Sequence, residues 1–122
     1  MIKEIAFTAY PAADVAKLVD FYSGVLGLTA SGKYEENGTL LYAEFEVGNS
    51  WFSVMTHDWM DVPPGSAAGV ALEVDDIEEA LTQFASQGIA REDIHDTPVC
   101  RLSSFKDPEG NKVTLHQTTR PH

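Results

Sequence analysis

Between positions 40 and 47, Leu41, Ala43, Phe45 and Val47 interleave with Tyr42, Glu44 and Glu46. A period of two buries one face of a strand and leaves the other polar. Asn37-Gly38 and Gly48-Asn49 are good hairpin turns on either side. Strands are therefore predicted at about 28–35, 38–47 and 51–56. Ahead of them, IKEIAFTAY (2–10) reads as a short strand that Pro11 ends. The period then changes. Val15, Leu18, Val19, Tyr22, Val25 and Leu26 recur at helical spacing behind Asp14, an N-cap residue, and Gly27 stops the helix.

The same order returns downstream. HDWMDVPPGSAA (57–68) has no periodicity and two prolines, so it reads as a linker. GVALEV (69–74) is a strand. Asp76 with Glu79 resembles a capping box, and Ile77, Ala80, Leu81, Phe84 and Ala85 make a helix face ended by Gly88. Strands follow at 98–106 and 111–117, joined by Asp-Pro-Glu-Gly-Asn. FTAYPAADVAKLVDF (7–21) aligns with GVALEVDDIEEALTQ (69–83), pairing Asp14 with Asp76. FEVGNSWFSV (45–54) aligns with FKDPEGNKVTLH (105–116) if two residues are inserted, which matches Phe52 to Thr114. Either half alone would leave a naked sheet face. The expected fold is α+β, a single domain over 1–122. Its tandem βαβββ modules, 1–56 and 69–117, are joined by linker 57–68 and close an eight-stranded cup with helices outside.

Charge narrows the partners. Against 19 acidic residues stand 8 lysines and arginines, a net charge of −11. That repels nucleic acid and anionic membrane. The one cysteine, Cys100, excludes an intrachain disulfide. No apolar run approaches the length of a membrane helix and the N-terminus has no cleavage-site pattern, so a cytoplasmic protein is expected.

Three segments, DVAKLVDFYSGVLGL (14–28), VDDIEEAL (74–81) and FKDPEGNKVTLHQ (105–117), together resemble the glyoxalase/bleomycin resistance/dioxygenase group, the vicinal oxygen chelate superfamily. The resemblance implies the cup fold. It also implies a choice among isomerases, epimerases, lyases, ring-cleaving dioxygenases, drug-modifying transferases and drug-binding proteins. The enzymes hold a divalent metal through His, Glu or Gln on inward strand positions. Those positions fall here on Phe7, Phe52, Gly69 and Thr114. Phenylalanine has no lone pair to donate, glycine has no side chain, and a lone threonine hydroxyl is a poor ligand. A slip of one residue at Phe52 would offer Trp51 or Ser53, which are no better. No metal cofactor is expected. A homodimer is, because the family covers exposed sheet edges by pairing.

Candidate chemistry follows from the inward face. Phe7, Phe52 and Tyr42 would give an aromatic lining, joined by Glu44, Thr114 and His116. His116 is a candidate acid or base, with a plain sheet-edge histidine as the alternative. Glu73 and Glu44 are candidate general bases, or solvated rim carboxylates. Cys100 is a candidate nucleophile if it lies beside His116, and otherwise an inert buried thiol. His57 and His95, expected in loops, are candidates for a displaced metal site, and Trp59 and Met60 for a flap. His122 is expected to be unordered. Asp107, Pro108, Gly110 and Asn111 read as turn chemistry. The expected function is metal-free binding of a small organic molecule, in the manner of drug sequestration. The alternative is a lyase, isomerase or dioxygenase-type enzyme using His116 and a carboxylate, or a displaced metal.

Overall fold

The computed structural model describes residues 1–119, so His122 lies outside them. Eight strands form two four-stranded sheets, one from each half of the chain. In the first, the order is β1 (Thr8–Ala12), β4 (Ser50–Thr56), β3 (Thr39–Val47) and β2 (Thr29–Glu36). In the second it is β5 (Val70–Glu73), β8 (Lys112–Thr118), β7 (Cys100–Lys106) and β6 (His95–Asp96). Both sheets start with a parallel pair and continue antiparallel. Helix α1 (Val15–Val19) runs into a π-helical turn over Asp20–Val25. A single turn, α2 (His57–Met60), follows β4, and α3 (Ile77–Ala85) follows β5. The fold is α+β. No hydrogen-bonded ladder joins the two sheets among the described residues. The Tyr10 hydroxyl connects them instead, donating to the Lys112 carbonyl (2.6 Å) and accepting from the Val70 amide (2.6 Å).

The caps and faces follow the sequence pattern. Asp14 accepts from the Lys17 amide at 3.2 Å, and Asp76 from the Glu79 amide at 3.1 Å. Asn37 and Gly38 both take positive φ, as a tight hairpin turn of this kind requires. Leu18 and Tyr22 are buried with Ala43, Phe45 and Val54, while Ile77 and Leu81 are buried with Val113 and Leu115. Each such side chain stabilises the fold by roughly 1.5–3 kcal/mol on full burial. Phe21 and Phe105, 6.3 Å apart at their ring centres, make the two halves one core.

Several expectations are corrected. The first strand begins at Thr8, not Ile2, and Ile2 and Ile5 stay 94% and 86% exposed. Pro11 lies inside the strand rather than ending it. This is tolerated because β1 is an edge, where the missing N–H breaks no ladder. The first helix is α only in its first part, since Leu26 N bonds Phe21 O at 3.1 Å, a five-residue step. The segment read as linker opens with α2. The repeat implies the eighth strand, β6, but gives it no position, because two residues carry no period.

The Asp107–Asn111 turn does more than reverse the chain. The buried Asp107 carboxylate accepts from the Tyr22 hydroxyl (2.8 Å), the Asn111 side chain (3.0 Å) and the Glu109 and Asn111 amides (both 3.0 Å). Burial, and then the charge of Asp107, push the Tyr22 hydroxyl pKa well up. Glu109 accepts from the Ala13 and Asp14 amides at the start of α1, at 2.5 and 2.9 Å. Asn111 donates to the Pro11 carbonyl at 3.2 Å and accepts from Ala67 N at 3.0 Å. One five-residue turn thus ties the second sheet to β1, α1 and the segment before β5.

Candidate functional site

Register decides which side chains leave the core. In the first sheet Tyr42 pairs with Met55, Glu44 with Ser53, and Glu46 with Trp51. These residues share the face opposite the helix. Phe52 pairs with Phe45 and with Thr8, on the helix side. It is 3% exposed and packs against Tyr22 and Tyr10 at 5.0 and 5.1 Å. Phe52 therefore packs into the core, and it also lines the cleft between the sheets described below. Its turn to the core reflects a one-residue slip, which moves a strand residue to the other face. Phe45 pairs with Phe52 and Phe105 with Val113, so Val113 is the counterpart of Phe52. Thr114 then matches Ser53, and only one residue is inserted in the second half. Phe7 sits just before β1 and is about half exposed.

In the second sheet Glu73 lies beside His116, and Ala71 beside Thr114. Glu73 Oε1 is 2.5 Å from His116 Nδ1, and Glu73 Oε2 accepts from the Thr118 amide at 2.8 Å. The Thr114 and Ser104 hydroxyls meet at 2.8 Å. Cys100 is opposite Thr118, whereas His116 is opposite Leu102. The buried Cys100 Sγ meets Thr97 Oγ1 at 3.1 Å and, among the described residues, makes no hydrogen bond to His116, so it matches the buried-thiol alternative rather than the candidate Cys/His pair. His95 is in β6, opposite Leu102, rather than in a loop. His57 begins α2, 3.8 Å from Asp58. Trp59 of the same turn lies 6.1 Å from Tyr34, which pairs with Tyr42.

Two polar clusters result. Tyr42 donates to Glu44 at 2.9 Å. Burial, reinforced by this carboxylate, raises the Tyr42 pKa. Glu44 also lies over Gly32, where any Cβ would come within 2.6 Å of its Oε1. Ser53, across from Glu44, is fully buried; its hydroxyl adjoins that of Tyr42, whose raised pKa it partly offsets, but makes no close hydrogen bond among the described residues. The other cluster is Glu73 with His116. Beside it a cleft of about 530 Å³ opens between the sheets, lined by Trp51, Phe52, Gly69, Ala71 and Glu73, with Thr8 and Val47. Its size is that of a small-molecule site. Sequence reasoning gave Glu44, Tyr42, Glu73 and His116 this face but chose Phe52 over Trp51 and Ser53. The signal was present: Phe52 and Val54 continue the buried set of Ala43 and Phe45.

The side chains do not fit a divalent cation. The four family positions carry Phe7, Phe52, Gly69 and Thr114, and the corrected register brings only Trp51 and Ser53. Thr114 Oγ1 is engaged with Ser104. No three His, Cys, Asp or Glu side chains gather as a metal would need, among the described residues. Among those residues, too, no helix is long and apolar enough to cross a membrane.

No curated protein matches the chain. Solved structures do. An antibiotic binding protein, TnmS3, from Streptomyces sp. CB03234 superposes with a TM-score of 0.82 at 26% identity, covering 97% of this chain and 98% of that one. A glyoxalase/bleomycin resistance protein from the same organism gives 0.76 at 27% identity, covering 93% and 100%. A lactoylglutathione lyase from Agrobacterium tumefaciens shares the fold at 0.76 and 21% identity, covering 95% and 94%. The family model for the Glyoxalase/Bleomycin resistance protein/Dioxygenase superfamily matches residues 4–115, and the chain belongs to that superfamily.

Proposed function

We propose that this protein binds a small organic molecule in the cleft between its sheets, without a divalent metal, and sequesters it. The observation that carries the reading is the makeup of the polar sheet face. Metal-ligand positions are filled by Phe7, Gly69, Thr114 and the Trp51–Ser53 segment, while paired anchors for a polar organic group remain. Those anchors are Glu73–His116, of which Glu73 lines the cleft, and Tyr42–Glu44 on the polar face of the first sheet. The likeness to an antibiotic binding protein points the same way. Trp51 offers a flat apolar wall, and Trp59 against Tyr34 the hinged edge of a flap.

A second reading rests on the Glu73–His116 contact. With Glu73 ionised, its carboxylate holds the proton on Nδ1 and makes Nε2 the basic nitrogen, as a general base requires. Here Glu73 is a positioning residue and His116 the catalytic one.

A homodimer completes the proposal. Ile2, Ile5 and Phe7 form an exposed apolar arm. The β1 ladder on β4 begins only at Phe52, leaving Ser50 and Trp51 unpaired on that side. A second copy would cover both.

The test is a thermal-shift screen against aromatic antibiotics, with metal content measured after loading with nickel, zinc, iron(II) and manganese. Sequestration expects near-zero retained metal and at least one compound that raises the melting temperature, with the rise lost in Trp51→Ala. Stoichiometric metal, or no shift with any compound, overturns it. Turnover of a bound compound that His116→Ala abolishes would establish the second reading.

A further inference from the structure

A second cavity, about 530 Å³, lies between the π-helical turn and the loop that follows α3. We propose that this groove is a separate binding site for a small amphiphilic carboxylate. Its apolar lining is Phe21, Val25, Ile89 and Phe105. Its charged lining includes Arg91, Lys106 and Lys112. These are three of only 8 basic residues in a chain of net charge −11. Among the described residues, none of the three is in an ion pair.

Two features set the groove apart from incidental surface. Lys106 and Lys112 are direct cross-strand partners at the end of the β7–β8 hairpin, on the Ser104–Thr114 face, so they stand at the rim of the groove rather than on its Phe105 floor. Like charges placed opposite each other destabilise a sheet, and a bound anion removes that penalty. Opposing carboxylates are few. The buried Asp107 is committed to Tyr22, Asn111 and backbone amides. Only Glu92 remains, on the exposed rim. The second feature is the π-helical turn. Phe21 and Val25 both belong to it. Such turns are rare and are found frequently at functional sites. An apolar floor beside unneutralised cations suits a ligand with a hydrocarbon body and one carboxylate.

The probe is decanoate, titrated calorimetrically into the full chain at low and high salt, with methyl decanoate as the uncharged control. Decanoate is expected to bind, to weaken as salt rises, and to bind at least tenfold more tightly than the ester. The double variant Lys106→Ala, Lys112→Ala should lose at least tenfold in decanoate affinity and most of the salt dependence. The exposed Arg91→Ala should lose several-fold, and serves if the double variant does not fold. Glu73→Gln, in the other cleft, should bind decanoate as wild type does. Absence of binding, equal binding by the lysine and arginine variants, or a change of affinity in either direction in Glu73→Gln would each overturn the groove assignment. None of these outcomes bears on antibiotic binding in the cleft.

Discussion

The Tyr22 hydroxyl donates to the Asp107 carboxylate at 2.8 Å, joining side chains 85 positions apart in the chain. Tyr22 is fully buried and Asp107 is 4% exposed. This bond ties the first helix to the turn of the second sheet, and so fixes how the two modules sit. Asp107→Ala would orphan the Tyr22 hydroxyl, the Asn111 side chain and two backbone amides together. A loss of about 3 kcal/mol is expected, read as a lowered urea midpoint.

Tyr22 also sets a pH dependence. Its folded pKa lies above the ordinary value of 10.0, because burial and Asp107 disfavour the phenolate. Below pH 10 both folded and unfolded states hold the proton, and the contribution is complete. Above pH 10 the unfolded state loses its proton first, so stability falls as pH rises. Urea unfolding at pH 8 and 10.5 should show this fall. In Tyr22→Phe the fall should be shallower, on a lower stability at pH 8, with Tyr10 and Tyr42 supplying the remainder.

The segment before β5 meets the same turn through Gly65. This residue has a φ of +79°, and a Cβ there would collide with the Glu109 carbonyl. Gly65→Ala is expected to destabilise by about 1–3 kcal/mol, through the strained φ and the displaced turn. A melting temperature within a degree of wild type would count against the clamp.

Ser53 separates stability from binding. Its buried hydroxyl makes no close hydrogen bond among the described residues, so Ser53→Ala should leave stability, read from the urea midpoint, unchanged or raise it by up to about 1 kcal/mol. A ligand that uses the hydroxyl should bind the variant more weakly. Equal affinity would place the ligand away from the Tyr42–Glu44 cluster.

Removing residues 1–7 takes away Ile2, Ile5 and Phe7 but no core residue. Sedimentation should show a dimer for the whole chain and a monomer for the shortened one, with the monomer's fold intact by circular dichroism. A shortened chain that remains dimeric would move the interface elsewhere.

The sequence by itself determined the longer elements, their order and their repetition, but not α2, the π-helical turn or the place of β6. Period-two and helical spacings are local, and so are Asp14 and Asp76 as caps and Asn37-Gly38 as a turn. The superfamily was legible for the same reason, because its signatures are short. Tertiary structure decided which face each strand turned to the core. Phe52 and Ser53 are adjacent, and one register step sends the first against Tyr22 and leaves the second beside Glu44. Pairing partners set that step, and no local pattern spans the gap. Distance along the chain hid the contacts as well. Glu73 meets His116 across 43 positions, and Glu109 caps a helix start 95 positions earlier. The Asp-Pro-Glu-Gly-Asn stretch read as a turn because its backbone preferences are local. Its second role, clamping the modules together, depends on side chains that only folding brings within reach.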